Sequence, residues 1–235
     1  MKIHVFDSQL DASKEAYAFF ERALQNSAKV FGLATGGTPE QLYTLLSEST
    51  LDFSNCVSVN LDEYFGLAAD HPKSYHHYMQ TQLFDKKPFA TSYLPDGTNQ
   101  DVEGEIARYN QILADNPIDL QILGIGSNAH IGFNEPGTSF DSQTQLVDLT
   151  ESTIEANKRY FERVEDVPTQ AYSMGIASIM SAKEIILMAF GAKKAQAIKD
   201  TVEGPVTTDV PASILQTHPN VTLLLDKDAA ALLTR

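Results

Sequence analysis

Three observations predict an α/β fold with a mostly parallel, open β-sheet flanked by helices on both faces. Apolar runs of strand length recur along the chain and alternate with stretches that carry the three-and-four spacing of an amphipathic helix. Parallel neighbours need a crossover long enough to hold a helix, so this alternation reads as successive βαβ units. Several polar, glycine-containing motifs directly follow the strands, and in open parallel sheets ligands bind outside the carboxyl ends of strands where the chain order reverses.

Taken in order, Lys2–Phe6 is short and rich in β-branched and aromatic residues, a first strand. Asp7–Gln25 then places Ala16, Phe19, Phe20 and Ala23 along one helical stripe. Val30–Ala34 reads as a buried strand running into Thr35-Gly36-Gly37-Thr38-Pro39. There Thr38 suits an N-cap, Pro39 the first helical position and Gln41 the far end of a capping box. Leu42, Leu45 and Leu46 give the apolar face of that helix. Cys56–Asn60 is a third strand, ending in Leu61-Asp62-Glu63-Tyr64. A helix near Tyr75–Phe84, a connector at Pro95-Asp96-Gly97 and a helix over Val102–Leu113 follow. Ile118–Ile125 is the next strand, then Glu184–Phe190, a helix over Ala192–Val202, a last strand at Val221–Leu225 and a short C-terminal helix. No linker divides the chain, so 1–235 is expected to form a single, Rossmann-like domain.

Charge narrows the function. Seventeen basic against 31 acidic residues, a formal net charge of −14, is the wrong balance for neutralising nucleic-acid phosphates or for lying on an anionic membrane. The chain has no apolar stretch near the roughly 20 residues of a membrane span. Neither does the N-terminal segment carry the apolar core of a signal peptide. Cys56 stands alone, which rules out an internal disulfide or a thiolate metal cluster and points to a reducing, cytoplasmic compartment.

Three motifs carry candidate chemistry. In the first, Gly36 and Gly37 let backbone amides approach an anion, Thr35 and Thr38 offer hydroxyls, and the following helix adds its N-terminus. On spacing alone an ordinary strand-to-helix turn would look the same. The second, Asn60-Leu61-Asp62-Glu63-Tyr64, puts adjacent carboxylates after a buried strand, where burial and like charge raise a carboxylate toward the range of a general base. Acids decorating a helix N-terminus are the plainer alternative. The third runs from Gly126 through Asn128 and His130 to Glu135-Pro136, a histidine with a carboxylate near enough to set its tautomer and basicity. A single His among carboxylates makes a poor metal site, and no metal ligand set is predicted. Arg159 and Lys194 are the basic candidates for an anion, Arg being the better fork for a phosphate. His71, His76 and His77 carry no evident chemistry.

Taken together, Ala34–Pro39, Asn60–Tyr64, His130-Ile-Gly-Phe-Asn-Glu-Pro136 and Ala156-Asn-Lys-Arg-Tyr-Phe161 resemble the glucosamine-6-phosphate deaminase family, in order and over most of the chain. The resemblance implies an amino-sugar phosphate bound in its closed-ring form, its phosphate held by Thr35, Gly36, Gly37, Thr38, Arg159 and Lys194. It further implies that His130, with Glu135 and Asn128, opens the ring, and that Asp62 abstracts the C2 proton. Hydrolysis of the resulting ketose imine would release ammonia and fructose 6-phosphate, with no metal or organic cofactor.

Two departures bear on this expectation. Many members carry Asp where this chain has Asn128, which as an amide can hydrogen-bond the imidazole but lends it no charge, so a changed pH dependence is expected. The segment Gln143–Asp148 lacks the basic residues of the effector site in larger, hexameric members, which implies an unregulated monomer. Residues 150–172 are expected to form a mobile lid that delivers Arg159. The competing readings are a 6-phosphogluconolactonase-like hydrolase, which needs no base at Asp62, and a non-catalytic sugar-phosphate sensor. The latter would need a DNA-binding module for which no basic segment before residue 30 or after 226 is long enough.

Overall fold

The computed structural model describes residues 1–158 and 161–234. Seven strands form one all-parallel sheet: β1 (Lys2–Phe6), β2 (Val30–Leu33), β3 (Val57–Asn60), β5 (Thr91–Tyr93), β6 (Leu120–Leu123), β9 (Glu184–Ala189) and β10 (Val221–Asp226). Their order across the sheet is β1-β10-β9-β6-β2-β3-β5, with Leu33 opposite Asn60 and Phe31 opposite Leu120. The chain winds outward from β2 in one direction and from β6 in the other. The topological switch point therefore lies between β2 and β6.

Helices α1 (Gln9–Gln25) and α2 (Glu40–Glu48) pack against each other on one face. The connections that run the other way carry α4 (Val102–Asp115) and α7 (Ala195–Glu203), which right-handed crossovers put on the opposite face. Burial on both sides explains the sequence pattern: every residue of β2 and β6 is buried, and neither strand alternates. Phe20, Phe31 and Phe53 lie at the centre of the core, with ring centroids 5.3 Å (Phe20–Phe31) and 5.4 Å (Phe31–Phe53) apart. Each such ring stabilises the fold by about 2–3 kcal/mol through burial.

A second, three-stranded antiparallel sheet is formed by β4 (Asp62–Tyr64), β8 (Gln170–Ser173) and β7 (Gln145–Asp148). It has its own apolar cluster of Tyr64, Phe133, Leu149 and Ala171. Leu61 joins the two sheets: its N–H donates to Leu33 O and its carbonyl accepts from Met174 N. Asp62 consequently leaves the main sheet at the carboxyl end of β3, on a strand and not at a helix start.

Two sequence expectations are corrected and a third is refined. Thr38 and Gln41 make no capping box; Pro39 occupies the cap position of α2 without a side-chain bond, because residues 35–38 turn toward the cleft. The helix near Tyr75–Phe84 is α3 (Tyr75–Met79) continued by a π-helical turn, Gln80–Phe84. The expected C-terminal helix is a series of turns over 227–232, started where Asp226 Oδ1 accepts from Ala229 N. Within the expected lid, α5 (Glu151–Asn157) and a 3₁₀ turn at Val164–Asp166 precede β8, whose pairing fixes residues 170–172 in the small sheet. After β8, α6 (Ile176–Met180) leads on to β9. No helix among the described residues is long and apolar enough to cross a membrane.

Candidate active site

At the switch point the loops after β2, β3 and β6 open onto a cleft of about 1000 Å³. Its walls include Thr35, Gly36, Gly37, Thr38, Asp62, Asn128, His130 and Lys194. Nine of the ten predicted site residues are thus brought together, Glu135 standing directly behind His130. The tenth, Arg159, lies outside the described residues.

The loop after β2 is held from below by two tyrosines. Tyr43 donates its hydroxyl to Ala34 O at 2.5 Å, and Tyr78 donates to Gly36 O at 2.8 Å. With these carbonyls engaged, Gly36 takes φ +86°, a left-handed conformation that glycine adopts without a side-chain penalty. Lys194 ends the 3₁₀ turn Ala192–Lys194 before α7, and its Nζ donates to Ile125 O at 2.6 Å, which carries the charge to the cleft wall.

Asp62 is 6% exposed, and no hydrogen-bond donor among the described residues reaches its carboxylate. Burial, and secondarily the charge of Glu63, push its pKa up to about 8. Neighbouring Glu63 faces the other way and has three amide donors: Tyr64 N at 2.8 Å and Tyr75 N at 2.9 Å on Oε1, and His76 N at 2.9 Å on Oε2. Burial raises it to about 7 while those amides hold it back. Through this clamp Tyr75 is fixed against the cleft, stacked on Phe133 with centroids 6.1 Å apart.

The loop after β6 is shaped around an imidazole. Ala129 sits at φ +65°, a conformation that costs a non-glycine residue about 1–2 kcal/mol. It turns the chain so that His130 N donates to Asn128 Oδ1 at 3.3 Å. Gly126 is required because a Cβ there would lie 2.4 Å from the His130 ring. His130 Nδ1 approaches Glu135 Oε1 at 3.3 Å in bent geometry. Asn128 does not hold the imidazole as expected; its amide donates to Glu135 Oε2 at 2.5 Å, since its carbonyl is taken by the His130 backbone. Burial alone would raise Glu135, but His130, Thr153 and Asn128 together hold it down at about 2.

Sequence reasoning missed Glu63 as a clamp, Tyr75 as a cleft wall, and Thr150 and Thr153, whose hydroxyls both donate to Glu135 Oε1. Glu63 was visible as the second acid of its motif. Nothing in a linear reading pairs residue 135 with 153. Arranged in this way, the cleft offers an anion cradle, a buried carboxyl poised near neutrality and an imidazole backed by a carboxylate.

Comparison with known proteins identifies the family and the fold. Residues 10–224 match the family model of glucosamine-6-phosphate isomerases/6-phosphogluconolactonase. The chain is 57% identical to a glucosamine-6-phosphate deaminase of Oenococcus oeni and 58% identical to one of Latilactobacillus sakei, each over the full length of both chains. Among solved structures, a monomeric glucosamine-6-phosphate deaminase superposes with a TM-score of 0.95 at 42% identity, covering 99% of this chain and 100% of that one. A 6-phosphogluconolactonase from Trypanosoma brucei shares the fold, with a TM-score of 0.82 at 20% identity, covering 99% of this chain and 98% of that one.

Proposed function

Because this chain belongs to the family of glucosamine-6-phosphate isomerases and 6-phosphogluconolactonases, we propose that it converts glucosamine 6-phosphate reversibly to fructose 6-phosphate and ammonia. The observation that carries the reading is that Asp62 lines the same cleft as His130 and the Thr35–Thr38 loop. A lactone hydrolase has no use for a second proton-transfer group at that place.

The phosphate binds at Thr35–Thr38 with Lys194, and Arg159 completes the set. Opening the sugar ring moves a proton from the anomeric hydroxyl to the ring oxygen, and His130 performs both transfers. Glu135 stabilises the imidazolium formed between them. Once C1 is a carbonyl, the C2 proton becomes acidic enough for Asp62 to remove. Returning a proton to C1 gives the ketose imine, and water releases ammonia from it. Apart from cleavage of the C1–ring-oxygen bond and expulsion of ammonia from the hydrated imine, every step is a proton transfer or an addition of water, so the chemistry calls for no metal or organic cofactor. Binding energy at the phosphate positions the reacting end.

The whole chain acts as one sugar-phosphate domain in the cytoplasm, with the segment 150–172 as its lid, its far end anchored by β8. It works as a monomer without an effector site. The similarity to a monomeric deaminase supports this, as does the segment Gln143–Asp148, most of which lies in β7 and which has no basic residue. The test is purified protein with glucosamine 6-phosphate, assayed for ammonia. Hyperbolic kinetics are expected, with activity lost in Asp62→Asn by about a hundredfold or more. Hydrolysis of 6-phosphogluconolactone without ammonia release would replace this reading with the hydrolase.

A further inference from the structure

The first turn of α5 reaches into the ring-opening machinery. Thr150 is the N-cap of this helix: its hydroxyl accepts from Thr153 N at 3.3 Å and donates to Glu135 Oε1, also at 3.3 Å. Thr153, one turn on and 4% exposed, donates its hydroxyl to the same oxygen in a short hydrogen bond. On its other side Glu135 meets His130 and Asn128 from the loop after β6. The carboxylate is therefore the junction between a helix of the expected lid and the imidazole.

We propose that Thr153 is a positioning residue for ring opening, its hydroxyl fixing the Glu135 carboxylate in the ionised form and orientation that serve His130. A carboxylate free to rotate about its terminal bond would meet the imidazole only part of the time. In this structure Asn128 pins one oxygen and Thr153 pins the other, the one nearest His130 Nδ1. A neutral amide at residue 128 makes the second pin matter more, because no further negative charge in that loop backs the imidazole. Since α5 begins at residue 151, displacement of this helix would withdraw the hydroxyl, and the dyad would be complete only when α5 is seated.

The inference rests on the deaminase reading for its kinetic consequence but not for its structural one. Thr153→Val keeps the shape and removes the donor, whereas Thr153→Ser keeps the donor. With glucosamine 6-phosphate, Thr153→Val is expected to lower kcat about tenfold to a hundredfold with KM changed less than about twofold, and Thr153→Ser to recover most of the loss. In the ligand-free protein, carboxyl ¹³C NMR of Glu135 is expected to titrate at higher pH in Thr153→Val than in wild type, and close to wild type in Thr153→Ser. A Glu135 titration identical in wild type and Thr153→Val would overturn the proposal, as would an unchanged kcat. If wild type releases no ammonia, the deaminase reading falls, and the carboxyl titration still decides whether Thr153 holds Glu135.

Discussion

The two carboxylates of the proposed mechanism are held in opposite electrostatic states. Burial pushes Asp62, which no donor among the described residues reaches, up to about 8, whereas Glu135 is surrounded by donors and held at about 2. A base must be deprotonated to accept the C2 proton. kcat/KM for glucosamine 6-phosphate is therefore expected to climb about tenfold per pH unit below the Asp62 value and to level above roughly pH 8. The acid limb of kcat should lie lower, because the ammonium of bound substrate beside Asp62 favours the carboxylate. Initial rates over pH 6–9.5 check both limbs, and coincident limbs would argue against contact between that ammonium and Asp62. Both residues were legible in the sequence, each in a motif directly after a strand. Of their protonation only the upward direction at Asp62 was legible, since which donors reach either carboxylate depends on what the fold brings together.

At the scale of elements, Glu63 ties β4 to the start of α3 and so couples Asp62, the proposed C2 base, to the aromatic wall. Glu63→Gln replaces one acceptor oxygen with an NH₂ group and leaves His76 N facing a donor. Losing one such bond costs enough to quicken amide exchange at Tyr75 and His76 about tenfold. Because Glu63 is ionised above about pH 7, its removal also takes a like charge from beside Asp62. The acid limb of kcat/KM should then move to lower pH by up to about one unit. Exchange measured by mass spectrometry and the pH profile of the same variant test the two halves. The inner parallel strands β2, β6, β9 and β10 were readable because burial on both faces makes them near-continuous apolar runs. β5, β7 and β8 were not: Thr91–Tyr93, Gln145–Asp148 and Gln170–Ser173 are three or four residues long and lack such a run. Similarly, Lys227–Leu233 has helical propensity, but Asp226 is committed to Gly191 N and Ala229 N, and the segment closes as turns.

For the molecule as a whole, placing Asp62, the proposed C2 base, in the wall between two sheets sets activity against stability. An aspartate has a pKa of 3.8 when unburied and about 8 in this fold, so the folded protein holds a proton that the unfolded chain would release. The stability contributed by that proton is complete below pH 3.8 and is lost as pH rises to about 8. Glu135 has the opposite sign: its stabilisation is present above pH 4.5 and is lost as pH falls toward 2, so a comparison made at pH 5 and above avoids it. Asp62→Asn removes the ionisation and keeps the shape. The variant should already melt somewhat higher than wild type at pH 5, and the gap should widen progressively toward pH 8.5. A difference of a few kcal/mol there corresponds to a Tm gap of roughly 5–10 °C in a chain of this size. Thermal melts of both proteins at half-unit pH intervals give the curve directly. A gap that stays constant from pH 5 to 8.5 would mean that Asp62 is solvated in the folded state. The same result would remove the reason for its raised pKa, so the melts also test the electrostatic basis of the C2 base without any substrate present.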